Sequence, residues 1–390
     1  MTDVAWWIHT IGYGLCVLGT GYACFAAFVM ERFEHAQRHK RARSPSSTQP
    51  VSVLKPLCGA EPRLLSNLDT FCRQSHPEYE LVFGVRSPID PAIRVVGELR
   101  ALHPSRDIKL VVDPSVHGSN PKVSNLINLA SQARHPWLVV ADSDISVDTN
   151  YLVDVTAPLA DRHVGVVTCL YHARSEAGFW ATMGGEFIDG WFAPSVRVSA
   201  ALGSRNFGFG ATLAFRRDTL TQIGGFESVR DRLADDFWLA EYARREGLHT
   251  VLSPVVVHTD VIEQSFTNLW QREIRWLRTI RTLNPVGFAF VFVTFSWPLI
   301  AIGACLSHTA LSFAIAGVGG AARLVARWRT RAHAGKRPAR LRDMALGPIR
   351  DVLLTMQWMA ALTGDHVLWR NTRLSLHDKT VDAKLPNAFE

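Results

Sequence analysis

Apolar and polar positions divide this chain into an apolar start, a globular middle and a second apolar stretch. Residues 4–30 are nearly uncharged, and 8–30 form an apolar run long enough to cross a bilayer as one helix. No basic region precedes the run and no clear small-residue cleavage site follows it. The pattern therefore predicts a transmembrane anchor over residues 1–31 rather than a removable leader. Arg32, Arg38, Lys40, Arg41 and Arg43 follow within a basic linker, 32–50, which predicts a cytoplasmic location for the next segment. From residue 51, short β-rich runs alternate with helical stretches. Residues 51–54, 81–85, 108–112, 137–141 and 164–170 read as buried strands, and 62–73, 91–102 and 122–134 as intervening helices. This alternation predicts an α/β domain over 51–262 with a mostly parallel sheet and right-handed crossovers.

Residues 263–284 predict an amphipathic interfacial helix. At 100° per residue, Phe266, Leu269, Trp270, Trp276, Leu277, Ile280 and Leu283 share one half of it; Gln271, Arg272, Arg275 and Arg278 gather on the other. Glu273 and Arg281 interrupt the apolar half. A transmembrane hairpin is expected over 285–326, with arms at 286–305 and 309–322, the second extending to 326. Arg323, Arg327, Arg329, Arg331, Lys336, Arg337, Arg340 and Arg342 then place a basic loop, 327–343, in the cytoplasm. Segment 344–363 is interrupted by Asp351 and Gln357; it is read as spanning or lying in the interface, and 364–390 is a tail.

Composition narrows the function. Of 390 residues 47% are hydrophobic, yet 20% are charged, which fits a soluble-type domain carried on a few membrane segments. The net charge of +7 lies beside apolar segments, pointing to a lipid surface and not to nucleic acid. Six cysteines show no CxxC or metal spacing and read as buried thiols in a reducing compartment. No GxGxxG, P-loop, HExxH or GxSxG string is present.

The candidate chemistry is acidic. The run Trp137-Leu138-Val139-Val140-Ala141 ends in Asp142-Ser143-Asp144. If it is a buried parallel strand, both carboxylates emerge where open α/β sheets bind ligands. Paired acids there call for a cation, and a hard divalent ion carrying a nucleotide diphosphate meets that need; an ordinary acidic turn is the competing reading. Asp90 follows the second strand and reads either as a nucleoside contact or as a helix cap before Pro91. Gly118-Ser119-Asn120-Pro121-Lys122 opens a helix whose amides, with Lys122, fit a diphosphate, or it is a plain loop. Asp235 and Asp236 begin another helix, where acids either favour the dipole or supply a general base. Arg272 and Arg275, three residues apart, and Trp276 can meet a leaving diphosphate or simply anchor the helix in the interface.

Together, Asp90, Asp142-Ser-Asp144, Asp236 and Arg272-xx-Arg275-Trp276 resemble the D, D(D), D, (Q/R)xxRW pattern of family 21 glycosyltransferases, the ceramide glucosyltransferases and their bacterial relatives. Supporting strings are Val53-Leu54-Lys55-Pro56-Leu57-Cys58-Gly59 and Asn120-Pro121-Lys122-Val123-Ser124-Asn125-Leu126, and the likeness runs over roughly residues 50–280. The resemblance implies a GT-A-type mixed, mostly parallel sheet flanked by helices, with transmembrane and interfacial helices. It implies that Asp90, Lys122, Asp142, Asp144, Arg272 and Arg275 hold a UDP-sugar. It implies further that Asp144 and Asp142 hold Mg2+ or Mn2+, that Asp236 is the catalytic base, and that Trp276 lies on the acceptor side.

Within the family the chain looks most like the bacterial hopanoid-associated enzymes, which implies inverting transfer of N-acetylglucosamine to bacteriohopanetetrol at the cytoplasmic face of the bacterial inner membrane. The alternatives are glucosylation of ceramide and a processive polysaccharide synthase; a lipid-binding membrane protein without activity is a third class. The aromatic, glycine-rich stretch 179–192 reads as a lipid entry path or as core packing.

Overall fold

The computed structural model describes residues 3–43, 49–333, 344–369 and 372–375. Its globular middle contains β1 Val51–Pro56, β2 Tyr79–Val85, β3 Ile108–Val112, β4 Trp137–Val140, β5 Ile145–Ser146, β6 Val164–Ser175, β7 Leu213–Arg216 and β8 His249–Val261. These form one eight-stranded sheet in the order β3-β2-β1-β4-β7-β6-β8-β5. The first four pair in parallel, as do β6 and β8; β7 runs antiparallel to both of its neighbours, and β5 runs antiparallel to β8. The mixed, mostly parallel sheet expected above is therefore present. The five strands read from the pattern are in place, and β5, β7 and β8 complete them.

Alternation along the strands builds a core on each face. Val51, Val53, Leu81, Phe83, Trp137 and Val139 pack against helices Leu64–Cys72, Ala92–Leu102 and Tyr151–Thr156. Leu54, Val82, Leu138 and Val140 pack on the other side against Pro121–Gln132, Arg217–Gln222 and Asp235–Arg245. With helices on both faces, ligands of such sheets bind at the carboxyl edge of the parallel strands. A third apolar cluster joins helix Phe266–Leu283 to Phe187, Trp191, Phe288, Phe295, Leu354 and Ala361.

Two helices, Asp3–Arg32 and Ala310–Arg331, are long and apolar enough to cross a membrane. The first is part of a single helix, Asp3–Arg43, so helix continues into the region read as a linker. The expected hairpin arm at 286–305 is not one helix. It breaks into Pro285–Ala289, a 3-10 turn at Val291–Thr294, and Ser296–Ser307. Phe295 leaves helical geometry (φ −83°, ψ 67°), and the next helix restarts where the Trp297 amide donates to Asp351 Oδ2. Twelve residues rise only about 18 Å, less than a bilayer core.

The basic residues Arg323, Arg327, Arg329 and Arg331 continue the helix Ala310–His333 instead of opening a loop. Arg323 pairs with Asp351 at 2.9 Å and Arg327 with Glu186 at 2.7 Å. Lys336, Arg337, Arg340 and Arg342 lie outside the described residues. Segment 344–363 contains the helix Leu346–Ala361, which buries Arg350, Asp351 and Gln357 and exposes Ile349, Val352, Met356 and Met359. The tail forms a hairpin of His366–Trp369 and Thr372–Ser375, and 376–390 is outside the description. The cysteines are free thiols, but only Cys16, Cys72 and Cys169 are buried; Cys24, Cys58 and Cys305 are exposed, so the expectation of six buried thiols holds for half.

Small residues set the approach of the first helix to Ser296–Ser307. A Cβ on Gly303 would lie 2.4 Å from the Cys16 nitrogen and 2.6 Å from the Gly12 oxygen, both backbone atoms that cannot move alone. Such close crossings are how membrane helices gain van der Waals contact. Gly303→Val should therefore lower the thermal midpoint of the detergent-solubilised protein, by an amount equivalent to about 1–3 kcal/mol. An unchanged midpoint would mean that the two helices separate without cost.

Candidate active site

The site forms where strand direction brings distant chain segments to one edge. β7 is antiparallel to β4 with Leu213 opposite Val140, so the chain entering β7 meets the chain leaving β4. Gly210 therefore sits beside Asp142. A Cβ on Gly210 would lie 2.8 Å from Asp142 Oδ2, 3.0 Å from Lys122 Nζ and 3.4 Å from Asp236 Oδ2. Three predicted site residues from three elements thus converge over one glycine that leaves them room.

Lys122 binds this group together. Its ammonium lies 2.8 Å from Asp142 Oδ1 and 3.4 Å from Asp235 Oδ2. Burial disfavours its charge, but Asp142, Asp235 and Asp236 outweigh that and push its pKa upward. The helix start that carries it is already capped: Asn120 accepts from the Lys122 and Val123 amides at 2.9 and 3.2 Å. The expected use of those amides for a diphosphate is therefore replaced by a local cap, and Lys122 is committed to carboxylates. Asn120 Nδ2 also donates to the Arg232 carbonyl at 2.8 Å, which ties this loop to the start of helix Asp235–Arg245.

Asp236 accepts from the Gly210 amide at 2.7 Å through Oδ2 and from its neighbour Phe237 at 2.8 Å through Oδ1. Burial and then the charge of Asp235 raise its pKa to about 6, poising it for proton uptake. Burial also raises Asp235, against the pull of Lys122.

Asp144 is set by β5 and β8. Ile145 pairs with Thr259, so the Thr259 hydroxyl donates to Asp144 Oδ2 at 2.8 Å. Burial, Asp142 and Glu61 push Asp144 up to about 7. Lys55, fully buried over the Phe71 ring, donates to the Asp142 carbonyl at 2.8 Å. Burial lowers its pKa to about 7 despite Asp144, Asp142 and Glu61. Positive charge is thus short around Asp144, which is the environment a divalent cation relieves. No group of three or more His, Cys, Asp or Glu forms a protein-only metal cage among the described residues. Asp144 and Asp142 suit an ion completed by diphosphate oxygens and water, the habit of Mg2+ and similar hard cations.

The two arginines differ. Arg272 Nη1 pairs with Glu263 at 2.6 Å, its Nη2 lies 3.5 Å from Glu273, and its guanidinium covers Trp276 at 5.4 Å. Burial and the charge of Arg272 lower the pKa of Arg275, while Asp142 and Asp236 act on it in the opposite sense. Arg275 is therefore within electrostatic reach of the acidic cleft, while Arg272 is paired with Glu263. Trp276 packs with Tyr171, Phe187 and Phe192, ring centres 5.6–6.3 Å apart.

Asp90 sits apart from the acidic cluster, beside the loop that follows β1. It accepts from the Gly59 amide through both oxygens (3.0 and 3.1 Å) and from the Ala92 amide at 2.9 Å, so it performs the capping role and clamps that loop. In the stretch 179–192, Phe187, Ile188 and Trp191 are buried and Phe179 is exposed, so its inner part is core packing.

Sequence reasoning missed Lys55, Glu61, Gly210, Thr259 and Tyr171. Tyr171 packs on Phe192, Phe209 and Trp276; burial raises its pKa, and Asp236 adds to that. Its only sequence signal was a polar-tipped ring extending a strand beyond the predicted end at 170.

The chain is similar to known proteins. The family model described as Glycosyl transferase family 21 matches residues 19–382. Ceramide glucosyltransferase 1 of Caenorhabditis elegans is 27% identical over 243 residues, covering 62% of this chain and 52% of the relative. Ceramide glucosyltransferase 3 of the same organism is 25% identical over 251 residues, covering 63% and 54%. The chain spans about half the length of these curated relatives. Among solved structures, the mannosyltransferase PcManGT from Pyrobaculum calidifontis in complex with GDP-Man and Mn2+ is similar, with TM-score 0.48 and 19% identity over 91% of this chain and 97% of that one. On a match to most of its length, the chain belongs to the family described as Glycosyl transferase family 21.

Proposed function

We propose that this protein transfers a sugar from a UDP-sugar to a hydroxyl of a membrane lipid, with inversion at the anomeric carbon. The convergence of Asp142, Lys122 and Asp236 around Gly210 carries this reading. Asp236 takes the proton of the acceptor hydroxyl as its oxygen attacks the anomeric carbon from the face opposite the nucleotide. The new glycosidic bond forms as the bond to the diphosphate breaks, and UDP leaves with the bonding pair. Arg275 faces the charge that grows on that leaving group, in a site where buried donors act strongly. Asp144 and Asp142 would hold a divalent cation, Mg2+ or Mn2+, whose charge neutralises the diphosphate. Trp276 and Tyr171 line the acceptor side; Asp90 steadies the nucleoside end by holding the Gly59 loop.

The relatives named above are ceramide glucosyltransferases, which favours glucose and a ceramide-type acceptor over N-acetylglucosamine and bacteriohopanetetrol. The exposed apolar faces of helices Asp3–Arg43, Ala310–His333 and Leu346–Ala361 support a cleft seated on a bilayer. The basic residues after the first apolar run support a cytoplasmic orientation. Mass spectrometry of lipids formed by membranes containing this chain, with UDP-glucose and UDP-N-acetylglucosamine offered together, tests donor and acceptor at once. A single-sugar ceramide is the expected product. A glycosylated hopanoid would restore the first acceptor reading, and polymeric sugar would replace both by a processive synthase.

Asp236→Asn should lower kcat by roughly 10²- to 10⁴-fold while UDP affinity is kept; equal loss of both would remove the base assignment. The base acts only when ionised, and its pKa is raised to about 6. Turnover at saturating Mn2+ should therefore fall as pH drops through that value, and a flat profile from pH 5 to 8 (about the range titrated) would contradict the assignment. Gly210→Ala should displace Asp142 or Lys122 and cost roughly 100-fold in kcat/KM with little change in thermal midpoint. Near-normal activity in that variant would show that the three side chains need not converge.

A further inference from the structure

Glu273 is a fully buried carboxylate within the very helix that carries Arg272 and Arg275, and the mechanism above does not use it. In the sequence it interrupts an apolar face. In the structure that face meets helix Leu346–Ala361, which supplies its partners. Arg350 Nη2 donates to Glu273 Oε2 at 2.6 Å, and Gln357 Nε2 donates to the same oxygen at 2.8 Å. Arg350 also donates to Gln357 Oε1 at 2.8 Å, closing a three-membered ring of hydrogen bonds. The other oxygen of Glu273 lies 3.5 Å from Arg272 Nη2, an ion pair without a hydrogen bond, and Glu263 pairs with Arg272 Nη1 at 2.6 Å. Gly184 leaves space for the same guanidinium, since a Cβ there would lie 2.6 Å from Arg272 Nη2.

A buried carboxylate with this many donors is fixed in one geometry, because breaking any bond strands a charge away from water. Arg272 sits between this fixed carboxylate and that of Glu263, within ion-pair distance of both. Arg275, one turn further along, is then left for the acidic cleft. Helix Leu346–Ala361 is itself anchored, through Asp351, to Arg323 at 2.9 Å and to the Trp297 amide at 3.2 Å.

We propose that Glu273, Arg350 and Gln357 are positioning residues for the donor site. They lock Arg272 against Glu263, and the rotation of helix Phe266–Leu283 that this lock fixes aims Arg275 at the diphosphate. The proposal rests on the reading that Arg275 meets the nucleotide. It gives helix Leu346–Ala361 a role in donor binding despite its distance in sequence from every recognised motif.

The test compares UDP binding with Mn2+, donor and acceptor KM, and thermal midpoint in the full chain held in lipid nanodiscs. Arg275→Met comes first: retained UDP affinity would defeat the donor reading itself. With that variant impaired, Gln357→Leu and Arg350→Met should each weaken UDP binding and raise donor KM roughly 2- to 30-fold, the range of coupling through packed networks. Acceptor KM should stay unchanged. Adding Arg350→Met to Glu273→Gln should do little more than either alone, since both open the same lock. Gln357→Leu removes an uncharged side chain and keeps the test available if the charge variants fail to fold. A folded Gln357→Leu protein with wild-type donor KM, or donor losses that simply follow a lowered midpoint, would overturn the proposal.

Discussion

Lys122 lies among the carboxylates of Asp142, Asp235 and Asp236, which reach it from two separate elements, and its attraction to them is the interaction on which the site depends. Buried acids repel one another and resist ionisation, so their assembly at one sheet edge requires a shared cation. The Asn120 cap fixes the first turn of the lysine's helix, and the Asn120–Arg232 bond brings the acids of the next helix within reach. The cation also partitions the cleft. Asp142 and Asp235 are engaged by it, Asp236 is held by the Gly210 amide, and Asp144 is left with little positive charge nearby. One end of the cleft therefore suits a proton acceptor and the other a metal-bound diphosphate.

The helix Phe266–Leu283 brings Arg275 within electrostatic reach of this cleft. Arg272 and Arg275 are not equivalent, because Glu263 and Glu273 flank Arg272 while Arg275 is under the influence of Asp142 and Asp236. A single amphipathic helix thereby packs its apolar face into the protein and holds one guanidinium in ion pairs while the other stays near the acids. The same economy appears in Leu346–Ala361, whose exposed side is apolar and whose buried side is polar.

Much of this was legible in the chain. The runs 51–54, 81–85 and 137–141 showed as strands because strands buried on both faces read as mostly apolar segments, and the edge strand 108–112 showed through its β-branched residues. β7 and β8 did not. β7 is four residues long, and β8 alternates buried and half-buried positions with Pro254 in its middle, a weak signal for a strand. Asp142, Asp144, Asp236 and Arg275 could be picked out from motif and spacing. Lys55, Glu61, Thr259 and Gly210 could not, since each is ordinary in its own segment and meaningful only through the register of β1, β4, β7 and β8. Glu273 looked like a flaw in an amphipathic pattern because its partners lie far along the chain. The hairpin arm failed for a similar reason: hydropathy reports burial, and only backbone geometry at Phe295 shows where the helix stops.

The central claim is that these acids form a metal-assisted nucleotide site. Calorimetric titration of the nanodisc-embedded protein with UDP, with and without Mn2+, measures this directly. The account predicts clear saturable binding with the ion and binding at least about tenfold weaker in EDTA or in Asp144→Ala. Nucleotide affinity that ignores both the ion and Asp144 would contradict it.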